Sequence, residues 1–190
     1  MIAVFGGAFN PPTIAHYEIA KHVLRLSFVV SLLFVPVGDQ YKKAGLIPAN
    51  HRINMLKIMI RWLPDANVSE VEIKARRAFK TIETLQLLQA KYPEADLAFV
   101  LGADNLGDLP HWYSHNRLVE QFKMIIFNRG GFDVHAFIKE HFEKAAENFI
   151  IIDDFKKIDI SSSQYRSDVS KKEILLPEIE KYITKHNLYR

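Results

Sequence analysis

Short apolar runs alternate with amphipathic segments along most of this 190-residue chain. Runs at 2–5, 28–35 and 97–101, together with Lys123–Phe127 and Phe149–Ile152, have strand length and are rich in Val, Ile, Leu and Phe. The run at 28–35 is continuous enough to predict a strand buried on both sides. Residues 68–73 alternate apolar and polar and predict a further strand. Between these runs apolar residues recur at helical spacing. Residues 14–26 put Ile19, Ala20, Val23 and Leu24 on one face. Residues 50–62 predict a helix with Ile53, Leu56 and Ile60 at core spacing, Leu63 just beyond it and Asn50 as its N-cap. Thr81–Lys91 predicts a helix stopped by Pro93, and 137–147 predicts another. Serines 161 to 163 open a short helix, and Ile179, Tyr182, Ile183 and Leu188 mark a last amphipathic one.

This alternation predicts an α/β fold, a parallel central sheet flanked by helices on both faces. No internal repeat, low-complexity tract or linker interrupts residues 1–190, so one domain is expected, with residues 161–190 as a C-terminal helical extension. A ligand cleft in such a sheet lies at the carboxyl ends of the strands, near the switch in strand order. Polar loops stand at several of those ends, at 36–49 with Gly38, Gly45 and Pro48, and at the Arg129, Gly130, Gly131 turn.

Composition narrows the class. Net charge is +3 with no run of five like charges, which suits a phosphate-friendly cleft better than a nucleic-acid arm. The chain has no cysteine, so disulfides and thiolate chemistry are excluded and a reducing compartment fits. No signal-peptide pattern opens it, and 28–37 is too short to span a bilayer; a cytoplasmic protein without membrane or nucleic-acid partners is expected.

The first apolar run stops at Gly6 and Gly7, passes through Asn10, Pro11 and Pro12, and meets His16 inside a predicted helix. A strand that breaks at small residues before a helix aims N–H groups outward and suits phosphate. The spacing matches neither the dinucleotide-binding glycine fingerprint nor a P-loop. At the far end, the serines at 161 to 163 cap a helix start where an anion is favoured, and Arg166 one turn on has the geometry to fork onto phosphate oxygens. His111 and His115 stand four apart, a spacing that chelates on a helix. Pro110 places His111 outside a regular helix and no carboxylate set accompanies the pair, so no protein-ligated metal is expected. No activated serine or cysteine pattern is present, which leaves covalent catalysis without an actor.

Gly6, Gly7, Phe9, Asn10, Pro11, Thr13 and His16 together resemble the G-G-x-F-[DN]-P-x-[HT]-x-x-H signature of a nucleotidyltransferase superfamily. Ile160 to Arg166 is similar to its second signature, I-S-S-T-x-x-R, with Ser163 in place of the threonine. Three segments between them match in order. Residues 36–43 with Asn50, His51, Arg52 and Met55 resemble the lysine loop and following helix. Thr81, Thr84 and Leu85 resemble a T-x-x-T-L helix start. Gly102, Asp104 and Leu106, then Leu109, Pro110 and Trp112, resemble the G-x-D-x-L…[LF]-P-x-W segment. The chain is thereby identified as similar to the nicotinate/nicotinamide mononucleotide adenylyltransferases.

That resemblance implies a Rossmann-like nucleotidyltransferase fold, and adenylyl transfer from ATP to a pyridine mononucleotide without a covalent enzyme intermediate. It implies His16, Lys43 and Arg166 as the catalytic set. ATP would be held by Gly7, Ala8, Phe9, Thr13, His16, Lys43, Gly102, Asp104, Ser162, Ser163 and Arg166. The pyridine nucleotide would be held by Phe9, Asn10, Lys43, Thr84, Leu109 and Trp112. Mg²⁺ would be carried mainly by substrate phosphates, and the partners are ATP and the mononucleotide, with self-association into a homo-oligomer left open. Thr13 stands where many bacterial members carry histidine, and Lys42 is an alternative to Lys43 as the phosphate ligand. Residues 40–48 look eukaryotic-type while 109–113 look bacterial, so nicotinate and nicotinamide both remain open, with nicotinate favoured. The rivals are a sister enzyme acting on phosphopantetheine or an alcohol phosphate, and a non-catalytic nucleotide-binding regulator.

Overall fold

The computed structural model describes residues 1–75, 77–128, 131–156 and 158–190. Six strands form one parallel sheet: β1 (Ile2–Gly7), β2 (Ser31–Pro36), β3 (Ala66–Val68), β4 (Leu97–Gly102), β5 (Lys123–Phe127) and β6 (Phe149–Ile152), in the order β3-β2-β1-β4-β5-β6. Strand β1 pairs with both β2 and β4, so the direction of strand order reverses beside it and a crevice opens above its carboxyl end. The helices are α1 (Ile14–Val23), α2 (Ala49–Met59), α3 (Thr81–Lys91), α4 (Ala103–Leu106), α5 (His115–Gln121), α6 (Val134–Phe142), α7 (Ser162–Ser167) and α8 (Pro177–Lys185).

The two-residue period of the strands sorts the core into two layers. Ile2, Val4, Leu33, Val35, Leu97 and Phe99 face one layer, where Leu85 and Leu88 of α3 and Leu118 of α5 cover them. Ala3, Leu32, Phe34, Ala98 and Val100 face the other, beneath Ile19 and Val23 of α1, Leu56 of α2 and Ile179 and Ile183 of α8. Both faces are covered, which is why the strands read as continuous apolar runs.

Several boundaries differ from the sequence expectation, each for a local reason. The run at 28–35 begins its strand only at Ser31. Phe28 and Val30 precede it, 38% and 69% exposed, because a turn closed by Val29 N–H on the Leu26 carbonyl comes first. The expected strand at 68–73 is a strand only to Val68. Beyond it, Ile73 and Lys74 N–H both bond to the Glu70 carbonyl and the chain coils, so the alternation there places Val71 against the core and Glu72 toward the cleft. Helix α2 starts at Ala49, whose N–H is accepted by Asp39 Oδ1 at 2.8 Å; the cap comes from ten residues upstream, not from Asn50. It tightens to a 3₁₀ turn at Ile60–Trp62. Helix α1 ends at Val23 rather than 26. Helix α6 begins earlier than 137, because Asp133 accepts Ala136 N–H at 2.9 Å, and it tightens into a 3₁₀ stretch at Glu143–Asn148. Helix α5, which the sequence pattern does not predict, follows Ser114, whose left-handed backbone leaves its side chain without a cap bond. Helix α8 ends at Lys185, short of Leu188. Of the expected turn at 129–131, Arg129 and Gly130 lie outside the described residues.

Candidate active site

Above the carboxyl ends of β1 and β4 the chain leaves a cleft of about 1020 Å³. Its floor is the turn after β1. Gly6 packs under the Phe99 ring and Gly7 under the Phe9 ring, where an added Cβ would stand 3.0 and 3.1 Å from ring carbons. Phe9 takes a left-handed backbone (φ 47) that turns its ring down into the core, edge-on to Phe5 at 5.6 Å and to Phe34 at 5.5 Å. The small residues leave backbone exposed at the floor while the aromatic rings seal it from beneath.

His16 stands on the first turn of α1 with its ring set by two kinds of contact. Phe9 meets it edge-on at 5.2 Å, and Phe5 lies tilted against it at 5.9 Å. The backbone N–H of Thr13 donates to His16 Nδ1 at 3.0 Å, and Thr13 Oγ1 lies 2.8 Å from the same nitrogen. A nitrogen that accepts an amide N–H carries no proton of its own, so the neutral ring bears its hydrogen on Nε2. Nε2–H is thus a fixed donor at the cleft.

The second wall is the 38–48 loop, tied down by Arg52. This side chain is fully buried, and its guanidinium donates to the Ile47 carbonyl (3.0 Å), the Ala8 carbonyl (3.1 Å) and Asp39 Oδ1 (3.1 Å). One cation thereby joins the β1 turn to both ends of the loop. Gly38 presses onto the Glu72 backbone so closely that a Cβ would meet its carbonyl oxygen at 2.6 Å. Its N–H also bonds the Glu72 carboxylate, which accepts the Thr84 hydroxyl at 2.6 Å. Burial pushes the Glu72 carboxyl above its ordinary range despite these bonds. Lys42 and Lys43 both reach the cleft from this loop. Lys43 is held below the usual lysine range, first by partial burial and then by the nearby Arg166 guanidinium. Two cations held within reach of each other define a place for a polyanion.

Helix α7 forms the third wall. Ser161 caps it, accepting Gln164 N–H at 3.2 Å. Ser162 Oγ donates to the Pro11 carbonyl at 2.7 Å, and Arg166 donates to the Asn10 carbonyl (2.8 Å) and to Ser163 Oγ (3.1 Å). Gly102 and Asp104 lie at the start of α4, and Trp112 borders the cleft opposite the lysine loop, its ring edge-on to Phe99 at 6.2 Å.

The cleft therefore gathers Gly7, Ala8, Asn10, His16, Lys43, Thr84, Gly102, Asp104, Trp112, Ser162, Ser163 and Arg166. It does not gather the side chains of Phe9, Thr13 or Leu109, which are buried beneath it. Phe9 packs on the His16 ring and Thr13 bonds its Nδ1, and Leu109 belongs to the core under Trp112. The Ser162 hydroxyl proton is committed to Pro11, so that residue staples the wall. Arg52 and Glu72 were missed as site residues. Arg52 shares a helical stripe with Met55, Leu56 and Met59, and an arginine on an apolar face is a legible signal of a buried polar anchor. Glu72 carries no such signal, because the alternation over 68–73 predicts a strand.

Among the described residues, no group of three or more His, Asp or Glu side chains is arranged to hold a metal ion. No helix of the described residues is long and apolar enough to cross a membrane.

A cytidylyltransferase-like family model matches residues 4–168. A relative from Clostridium acetobutylicum, named as a "probable nicotinate-nucleotide adenylyltransferase", is 35% identical over 98% of this chain and 98% of its own length. Another of the same name, from Carboxydothermus hydrogenoformans, is 30% identical over 100% of this chain and 98% of its own. Among solved structures, the Plasmodium falciparum nicotinic acid mononucleotide adenylyltransferase superposes with a TM-score of 0.79, at 24% identity over 99% of this chain and 96% of that one, and so shares the fold.

Proposed function

This chain belongs to the cytidylyltransferase-like family and, within it, to the nicotinate-nucleotide adenylyltransferases, and from that premise we propose that it joins ATP to nicotinate mononucleotide, giving deamido-NAD and pyrophosphate. The observation that carries the reading is the meeting, in one cleft, of a histidine fixed as an Nε2–H donor with the cations Lys43 and Arg166. The preference for nicotinate rests on the names of the curated relatives.

The 5′-phosphate of the mononucleotide attacks the α-phosphorus of ATP in line, a new P–O bond forms, and the bond to pyrophosphate breaks. The attacking phosphate is already an anion, so no general base is required. The protein's task is to hold two polyanions together and stabilise charge on the leaving group. His16 Nε2–H donates to an oxygen of the α- or bridging phosphate. Lys43 and Arg166 take the β- and γ-phosphates, with Ser163 beside Arg166. Backbone at Gly7 and Ala8 faces the phosphates, and Gly102 and Asp104 flank the adenosine. Trp112 offers its ring to the pyridine, near Thr84 and Asn10.

Mg²⁺ would come to this cleft with the substrate phosphates that Lys43 and Arg166 hold. When bound, it neutralises phosphate charge.

The test is a substrate panel. The protein is incubated with ATP, MgCl₂ and, in turn, nicotinate mononucleotide, nicotinamide mononucleotide and phosphopantetheine, and pyrophosphate is measured. Fastest release with nicotinate mononucleotide supports the reading. Fastest release with phosphopantetheine selects the sister enzyme, and none with any acceptor selects a nucleotide-binding regulator.

A further inference from the structure

The segment after α8 returns to the cleft. Asn187 and Tyr189 both take left-handed backbone (φ 53 and 63), and Leu188 N–H closes onto the Ile183 carbonyl at 3.1 Å. This double bend carries Tyr189 under the nucleotide site, its ring edge-on to Tyr165 of α7 at 5.8 Å. There its hydroxyl donates to Asn10 Oδ1 at 2.9 Å.

Asn10 is fully buried, and its side-chain amide is shared between Tyr189 and the lysine loop. Nδ2 donates to the Gly45 carbonyl at 2.8 Å, and Oδ1 accepts Ile47 N–H at 3.4 Å. Ile47 N–H, which can only donate, and the Gly45 carbonyl, which can only accept, set which way the amide faces, and the Tyr189 hydroxyl donates to the oxygen so placed. With the amide turned over, Nδ2 would face the Ile47 N–H, and Oδ1 would face a carbonyl. Burial pushes the Tyr189 hydroxyl far above the ordinary tyrosine range, against the pull of Arg166 and Arg52, so it stays a donor at any working pH. Gly45 is two residues beyond Lys43, and the backbone bonds of Tyr41 to Gly38 and of Leu46 to Lys43 are local to the loop.

We propose that Tyr189 is a positioning residue for the phosphate-binding lysine: through the Asn10 amide, its hydroxyl fixes the 43–47 segment over the cleft. Its kinetic consequence rests on the assignment of Lys43 to ATP phosphates, whereas its mechanical consequence stands without it. The lysine loop is thus restrained by Arg52 at Asp39 and Ile47 and by the Tyr189–Asn10 pair at Gly45 and Ile47.

The test is Tyr189→Phe, which removes the hydroxyl and keeps the ring. Trypsin cleavage after Lys42 and Lys43, followed by mass spectrometry, should accelerate about tenfold while cleavage elsewhere is unchanged. The KM for ATP should rise about fivefold to tenfold, with kcat within about twofold and the thermal midpoint within a few degrees. Asn10→Asp, which loses the donor to Gly45, should loosen the same loop, and the double variant should add little to either single one. A folded Tyr189→Phe protein with unchanged loop cleavage overturns the proposal, and so does cleavage that accelerates uniformly along the chain. Fully additive effects in the double variant overturn it as well. If the wild-type protein releases no pyrophosphate, the functional reading fails, while the cleavage measurement still decides the role of Tyr189.

Discussion

Arg166 donates to the carbonyl of Asn10 at 2.8 Å across 156 residues of sequence. The two most separated motifs of the chain are thus one structural unit, reinforced by the bond from Ser162 to the Pro11 carbonyl at 2.7 Å. The guanidinium also stands close enough to Lys43 to lower its proton affinity. Arg166 therefore both ties the α7 wall to the turn after β1 and sets the charge that the lysine loop meets. A polyanion placed between them relieves a repulsion already present in the free protein.

The pH dependence follows from this pairing. On the proposed assignment Lys43 binds phosphate in its charged form, and burial and Arg166 shift its deprotonation below the usual lysine range. Rising pH should therefore lower kcat/KM for ATP, with the alkaline limb starting below the ordinary lysine value of about 10.4. Lys43→Arg keeps the charge throughout and should remove the limb. A profile in Lys43→Arg identical to that of wild type would assign the limb to another group.

His16→Ala should reduce kcat roughly a hundredfold to a thousandfold, the scale for removing one donor to a developing oxyanion. Thr13→Val, which keeps the backbone bond to Nδ1 and loses the hydroxyl contact, should lower kcat by less, about threefold to tenfold. Steady-state kinetics with the far-UV spectrum unchanged check both. Full activity in His16→Ala would remove it from the chemistry.

How much of this was legible beforehand depended on where each signal resides. The strands at Lys123–Phe127 and Phe149–Ile152 and the helix at Thr81–Lys91 were plain, because burial on both faces and a stop at Pro93 leave a direct mark on composition. Most of the cleft residues were plain as motifs. What the sequence hid were long-range anchors. Asp39 caps a helix that begins ten residues later, and Arg52 reaches the Ala8 carbonyl 44 residues back. Phe9 and Thr13 read as ligand residues, and the structure places both side chains in the core against the His16 ring. Spacing along a chain does not show which side of a turn faces the ligand.

Arg52→Met should destabilise the fold by an amount on the order of 3 kcal/mol, because it leaves the Ala8 and Ile47 carbonyls without their donor inside the core. Urea unfolding checks this. A loss below about 1 kcal/mol would mean that water replaces the guanidinium at little cost.

Trp112→Ala should raise the KM for the pyridine mononucleotide about tenfold and leave that for ATP within about twofold, as loss of one aromatic contact predicts. Equal changes for both substrates would make Trp112 a packing residue against Phe99.

Transfer of an adenylyl group is read from the fate of the α-phosphorus. With ATP labelled at the α-phosphate and nicotinate mononucleotide as acceptor, the label should appear in deamido-NAD, one for one with unlabelled pyrophosphate and none on the protein. Label retained in ATP, bound covalently to the chain, or released as AMP without a dinucleotide would contradict the account.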